Sequence, residues 1–396
     1  MHVLLLTETW PPDRGGMAES CDRIVGGLRR RGVRLDAGVF SRRRDQPVVE
    51  RQEHGRLLLC PVDEDSGHTI QRLWNLLTLD REQLDRLTHV MAFGGLLPLL
   101  AAPAIAAWID RPLVTLLRGN DFDLGLFTPR RAEALRDAVL RSARVCTVSR
   151  DHQRKLTRLF PSAPVVWTPN GIDLAAWRLT DADRRSARAW RDASVGPGRR
   201  VLGLMGHLKQ KKGGPFFVDV LRRSGLAARV HLLMVGEVEA ALPALLDQSR
   251  DAIAYTIVPP VDRWQLPPYY AACDVVVIPS FYDGLPNVLL EAGAFGLPVV
   301  ASTAGGIADV VDDDSAFTFH PGDLHSCRRA IDRAVGADEA HLRRLGERLR
   351  ARVERNFTAA LEIERYLDVL RDVGDAATRR ASVPSNPRLA ETGHPH

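Results

Sequence analysis

Short apolar runs bounded by Gly, Pro or Asp alternate along the chain with amphipathic segments of helix length, the pattern that a parallel sheet with crossover helices imposes on a sequence. In the first half the runs fall near residues 3–6, 33–39, 56–60, 89–93, 113–117 and 144–148. In the second half they recur near 201–205, 229–235, 253–257, 274–278 and 298–301. Between the two sets lies the turn sequence Pro169-Asn170-Gly171-Ile172-Asp173, and after it a charged stretch over 181–200 with no sustained apolar face, which marks the expected boundary between domains. The pattern predicts two doubly wound α/β domains, 1–168 and 169–356, whose strands direct their carboxyl ends at a shared crevice where ligands of such sheets bind. An amphipathic helix is expected over 357–372, and the remaining 373–396, rich in Pro, Ser and Gly from Ala381, is expected to be disordered.

Two segments depart from simple amphipathicity. Residues 90–109 carry no charge and are long enough to cross a bilayer, but Gly94-Gly95, Pro98, Pro103 and the many alanines predict a strand, a glycine turn and a buried helix instead. From Asn287 to Phe295 the helical pattern has no polar face apart from Glu291, so this helix is expected to be buried all round. A carboxylate is rarely buried alone. Two ligand hydroxyls, such as those of a ribose, would satisfy Glu291; an arginine from a neighbouring element is the plain structural alternative.

A length of 396 residues exceeds one ordinary core and agrees with two domains. The net charge of +5 is mild and the arginines are scattered, so nucleic acid is not indicated. Cysteines 21, 60, 146, 273 and 327 form no CxxC and read as small buried residues of a reducing compartment. The opening residues show no basic region followed by a cleavage site, which favours a cytoplasmic protein without a transmembrane segment, and peripheral membrane contact is not indicated.

Lysine usage narrows the search. Among 54 Lys and Arg, lysine occurs only at 155, 209, 211 and 212, and three of these share the loop Gly206-His207-Leu208-Lys209-Gln210-Lys211-Lys212-Gly213-Gly214 between a strand and a helix. Backbone N–H groups at such a helix N-terminus, with compact ammonium groups beside them, suit phosphate oxygens, although a solvated loop would look similar. A second loop, Pro279 to Asn287, offers the N–H groups of Gly284, Leu285 and Asn287 to an anion or a sugar hydroxyl, with Asp283 before them and Val288 and Glu291 behind. A third, Pro11-Pro12-Asp13-Arg14-Gly15-Gly16, follows the first strand; it lacks the spacing of a nicotinamide-binding turn. Asp63-Glu64-Asp65 and Asp312-Asp313-Asp314 read as surface turns, so no metal site is expected.

Taken together, Pro11-Pro12-Asp13 with Gly15-Gly16, Pro169 to Asp173, the Gly206 to Gly213 loop, Val235-Gly236, and Ser280 to Gly306 with Glu291-Ala292, Gly296, Pro298 to Ala301 and Gly305-Gly306 resemble glycosyltransferase family 4, in order and over almost the whole chain. The resemblance implies a GT-B fold of two Rossmann-like domains around a central cleft. It implies retaining transfer of a hexose or N-acetylhexosamine from a nucleotide diphosphate sugar, UDP-linked foremost, to a small-molecule, glycan or lipid-linked acceptor. By the same likeness the family's two acids, separated by seven residues, fall on Asp283, facing the sugar hydroxyls, and Glu291, holding the ribose. His207 and Lys212 would neutralise the diphosphate, with Lys209 and Lys211 in support; Gly15 and Gly16 would approach the phosphates; and the last helix would cross back onto the first domain.

Three positions depart from the family pattern: Asp283 replaces the usual glutamate, His207 the usual arginine, and Arg118 a histidine common near acceptor and donor sugar. Arg118, after the strand 113–117, is expected to reach the crevice and clasp substrate, unless Asp121 holds it in a structural ion pair. The positive charge for the leaving group would come from the lysine loop, making catalysis metal-independent with no cofactor beyond the nucleotide sugar. A GT-B epimerase or hydrolase, and a noncatalytic nucleotide-sugar-binding protein, are the alternative readings.

Overall fold

The computed structural model describes residues 1–13, 15–247 and 253–382, with side chains of the last helix described to residue 377. The first sheet has strands β1 (His2–Thr7), β2 (Arg34–Ser41), β3 (Val48–Gln52), β4 (Gly55–Pro61), β5 (His89–Phe93), β6 (Leu113–Leu117), β7 (Arg144–Thr147) and β8 (Val165–Trp167), in the order β3-β4-β2-β1-β5-β6-β7-β8. The second has β9 (Arg200–Met205), β10 (Val230–Val235), β11 (Ala254–Val258), β12 (Val275–Ile278), β13 (Val299–Ser302) and β14 (Phe317–Phe319), in the order β11-β10-β9-β12-β13-β14. Every pairing is parallel except β3 with β4. Val3, Leu4, Leu5 and Leu6 of β1 are wholly buried because helices cover both faces, and this is why the central strands read as continuous apolar runs rather than alternating ones.

All the expected strands form, and three more appear. β3 is a mostly exposed antiparallel edge carrying Glu50 and Arg51, so it lacks the apolar signature used to find the others. β8 and β14 have three residues each, too few for periodicity to register. The uncharged segment after His89 forms β5, a turn with Gly94 and Gly95 at positive φ, and the helix Leu96–Trp108. Among the described residues no helix is long and apolar enough to cross a membrane.

The stretch 181–200, read from the sequence as charged and without a sustained apolar face, contains a helix. Residues Asp181–Ser194 form a helix opened by a capping box between Thr180 and Asp183. Its Ala187 is buried, and Arg191 donates to the Ala272 carbonyl (2.7 Å) and reaches Asp274 (3.2 Å), so the helix lies against the second sheet. Its apolar face is narrow because polar side chains carry part of the contact. The Pro169 to Asp173 turn is stitched to the start of the last helix: Ile172 donates to the Phe357 carbonyl (2.8 Å) and accepts from Ala359 (2.9 Å).

From there the helix Ala359–Ser382 returns to the first domain, where Ile363, Tyr366, Leu367 and Leu370 pack with Val3, Leu5 and Ile24. A Cβ on Gly27 would lie 2.4 Å from Ile363, so the two helices meet only because that position is glycine. This helix extends ten residues beyond the expected end at 372; the rest of the expected tail, 383–396, lies outside the described residues. All five cysteines are buried and unpaired, with burial pushing the Cys21 thiol up to about 12. Asp65 caps the helix Ser66–Thr78, while Asp312 hydrogen-bonds to Ser315 and is held by Arg352.

Candidate nucleotide-sugar site

The crevice is built where the strand ends of the two sheets meet. After β9, the chain turns through Gly206 and Gly213, both at positive φ, into the helix Gly214–Ser224. A Cβ on Gly213 would lie 2.0 Å from the Pro279 carbonyl oxygen, so the lysine loop can lie against the loop after β12 only with glycine there. That contact brings Lys212 onto Asp283 as an ion pair, with Ser280 Oγ 3.4 Å from the same carboxylate. Two residues expected to bind different parts of a donor are thus in direct contact with each other.

Lys211 reaches across the crevice. Its Nζ donates to Asn120 Oδ1 of the first domain at 2.7 Å and lies 5.4 Å from the ring centre of Tyr282. Burial, offset by Asp283 and reinforced by Lys212, holds the ammonium below its ordinary pKa. Lys209 immediately precedes the short turn Gln210–Lys212 and makes no side-chain capping hydrogen bond to it. His207 is substantially exposed with Nδ1 3.2 Å from Glu237 Oε2; desolvation and the nearby Lys209 lower its pKa, with Glu237 and Glu239 opposing the shift.

The donor-side loop is wedged between glycines. A Cβ on Gly284 would sit 2.4 Å from the Arg118 carbonyl oxygen of the first domain. On its other side, Cβ atoms on Gly305 and Gly306 would fall 1.9 Å from the carbonyl oxygens of Asp283 and Gly284. The Gly305-Gly306 pair, visible in the sequence only as a landmark, is thus the backing of this loop. Leu285 is buried, and Asn287 opens the helix Asn287–Ala294. Val288 faces Gly206, and Asn287 Nδ2 lies 3.2 Å from where a Cβ on Gly16 would be. Gly16 begins the helix Gly16–Arg30, preceded by Gly15 at φ 112 with open space beside it.

Glu291, 7% exposed, accepts a hydrogen bond from the hydroxyl of Tyr270, which is itself wholly buried. Burial pushes the Glu291 carboxyl up to about 7, with Tyr270 and the more distant Arg263 and Arg23 opposing the shift and Glu19 adding to it. Its direct partner is a phenol rather than the arginine of the structural alternative. The signal for Tyr270 was available in principle, since a buried tyrosine needs a partner for its hydroxyl, but nothing in the sequence said which acid it would meet.

Arg118 corrects the expectation most sharply. Its side chain is 2% exposed and does not enter the crevice. Nη1 donates to the Tyr366 hydroxyl (2.9 Å), Nη2 to Asn170 Oδ1, and the guanidinium lies over Phe93 at 5.0 Å. Asp121 does not pair with it either: the carboxylate accepts the backbone N–H groups of Arg118 (2.7 Å) and Gly119 (2.6 Å). Glu362, a fully buried carboxylate on the returning helix, lies 3.9 Å away; it is 244 positions along the chain from Arg118 and was invisible to local reading.

Residues 14–176 match the model of Glycosyltransferase Family 4, and residues 199–336 match that of Glycosyl transferases group 1. A curated relative, alpha-maltose-1-phosphate synthase of Mycobacterium tuberculosis, is 30% identical over 254 residues, which are 60% of this chain and 65% of that protein. The chain thus spans less than two thirds of the length of that relative, and 35% of another. Among solved structures, sucrose-phosphate synthase from Thermosynechococcus elongatus superposes with a TM-score of 0.78 at 18% identity over 94% of this chain and 99% of that one. Anabaena HepE in complex with UDP-glucose gives 0.76 at 18% over 94% and 100%. These likenesses show the GT-B fold. With one family model on each sheet and the family's landmarks gathered at the crevice between them, the chain belongs to the family 4 glycosyltransferases of group 1.

Proposed function

We propose that the chain transfers a hexose or N-acetylhexosamine from a UDP-sugar to a small-molecule, glycan or lipid-linked acceptor, with retention at the anomeric carbon and without a metal. The observation that carries this reading is the buried Glu291 carboxylate, pushed up to about 7, on the helix that follows the loop bearing Asp283 of the Lys212–Asp283 pair. A carboxylate kept in so unfavourable a place gains most from a ligand that offers it two hydroxyls, and a ribose does so. HepE, of the same fold, was solved with UDP-glucose, which supports uridine as the base.

In the reaction the bond between the anomeric carbon and the diphosphate oxygen breaks, the acceptor oxygen forms the new bond, and its proton passes to the departing diphosphate oxygen. Lys212, beside the N-terminus of Gly214–Ser224, is placed to stabilise charge growing on the leaving diphosphate. As it turns to the phosphate, Asp283 is released to accept hydrogen bonds from the sugar. His207 offers the diphosphate a hydrogen bond from its imidazole. The buried, unpaired thiols fit a reducing compartment such as the cytoplasm.

A panel of UDP-, GDP- and ADP-sugars, scored by thermal shift and by release of nucleoside diphosphate with and without candidate acceptors, tests the reading. A rise in melting temperature with UDP-sugars and acceptor-dependent release is expected. Release that never depends on an acceptor would point to a hydrolase or epimerase, and binding without turnover to a noncatalytic protein. Turnover is also expected to survive EDTA, since the positive charge comes from Lys212; complete loss restored by magnesium or manganese would overturn that part of the proposal.

A further inference from the structure

The inward turn of Arg118 buries its guanidinium away from the crevice, among groups that reach the donor-side loop. Asn170, also buried, accepts from the guanidinium with Oδ1 and donates with Nδ2 to the Leu285 carbonyl at 2.9 Å, with Asn287 Oδ1 at 3.4 Å. This amide orientation is the one that satisfies both neighbours, because the opposite one would set N–H against guanidinium N–H and oxygen against carbonyl oxygen. Behind Arg118, Glu362 binds Arg23 through Nε (2.7 Å) and Nη2 (3.2 Å), which carries the chain of contacts to the helix Gly16–Arg30.

We infer that Arg118 and Asn170 are positioning residues that fix the donor-side loop 283–287 to the returning helix across the domain boundary, and that neither contacts substrate. The route runs from Arg23 and Glu362 through Arg118 and Asn170 to Leu285, and every member of it between Glu362 and Leu285 is buried. The Arg118 carbonyl presses on Gly284 from the same side, so the backbone and the side chain of one residue both bear on the loop. A planar guanidinium can bind Tyr366 and Asn170 at once in fixed directions, which a single ammonium point charge cannot reproduce. Loss of this brace would leave Asn170 Oδ1 unpaired and the first turn of Asn287–Ala294, with the N–H groups offered to the donor, free to shift.

The inference rests on the proposed donor site, and the test separates the two. Amide hydrogen exchange of the ligand-free chain, read by mass spectrometry, is measured for the parent, Arg118→Met, Arg118→Lys and Asn170→Ala. Peptides covering 280–291 are expected to exchange about tenfold faster in each variant, as befits loss of one charge-assisted hydrogen bond, while peptides over β10 stay at the parent rate. Arg118→Lys keeps a cation beside Glu362 and guards against global unfolding as the cause. Because the residues act in series, Arg118→Met with Asn170→Ala is expected to be no worse than the worse single variant.

In turnover, the donor KM is expected to rise about tenfold while the acceptor KM and kcat at saturating donor stay near the parent values. Unchanged exchange over 280–291 would overturn the inference, and so would an effect confined to kcat or the acceptor KM, which would place Arg118 at the reacting groups. If the parent turned over no nucleotide sugar while the exchange pattern appeared as expected, the proposed function would fail and the positioning role would stand.

Discussion

Glu291→Gln is expected to weaken UDP and UDP-sugar binding by about tenfold to a hundredfold and, in the absence of ligand, to make the protein more stable at neutral and alkaline pH. Both effects follow from one physical fact, the burial of an ionisable group whose protein partner is a single phenol. Binding suffers because a carboxylate accepts two hydroxyls with charge assistance and an amide does not. Stability gains because the amide carries no charge to desolvate and still accepts from Tyr270.

The sign with pH follows from the raised pKa. In the folded chain Glu291 titrates near 7, against 4.5 in the unfolded chain, so the native state binds the proton more tightly. Its contribution to stability is fully present below 4.5 and is lost as pH rises to 7. Above that, the parent bears a penalty that Gln removes, on the order of 1–3 kcal/mol for a shift of this size. Donor affinity moves the other way, since the ribose needs the ionised form: it is expected to rise with pH through about 7 and then level off in the parent, and to be flat in Glu291→Gln. Calorimetry across pH 5.5–8.5 and thermal unfolding of the ligand-free proteins decide it. Equal affinity in the two proteins would remove Glu291 from the ribose, and equal stability would show that its burial costs nothing.

What the sequence could and could not convey follows from the range of the interactions. The buried parallel strands were legible because covering both faces of a sheet demands uninterrupted apolar runs, and Glu291 was legible because one charge in an apolar helix is a local anomaly. The lysine loop stood out for the same reason, against a background of arginine. The direction of the Arg118 side chain was not legible. It is decided by Glu362 and Tyr366, which approach only after the last helix has returned to the first domain. Likewise the mutual pairing of Lys212 and Asp283 needs two loops from different strands to be laid together through Gly213, a contact no local pattern encodes. β3 and the helix Asp181–Ser194 escaped detection for a further reason: both are surface elements whose faces are largely charged, and periodicity reports burial rather than structure.

The pairing of Lys212 with Asp283 makes the two residues separable by experiment in a way that their proximity alone would not suggest. The Asp283 carboxylate lies on the Lys212 ammonium, so a diphosphate that recruits this ammonium would compete with Asp283 for it. Asp283→Asn removes the competitor. It is therefore expected to bind UDP alone several-fold more tightly than the parent while losing turnover, because the sugar loses its acceptor carboxylate and the leaving group is held too well before reaction. Lys212→Met is expected to do the opposite to UDP, weakening its binding, and to lower kcat by roughly 10²–10³, the usual cost of removing one preorganised donor from a developing oxyanion. Lys211, whose ammonium is already given to Asn120, lies one residue away and serves as the comparison. Lys211→Met is expected to reduce kcat by much less than Lys212→Met, since its hydrogen bond joins the domains rather than meeting the phosphate. Titration of UDP by calorimetry and steady-state rates with a saturating donor measure all of these. If Asp283→Asn bound UDP more weakly than the parent, Lys212 would not be the group the diphosphate recruits; if Lys211→Met and Lys212→Met lost turnover equally, the charge at the leaving group would belong to the loop as a whole and not to Lys212.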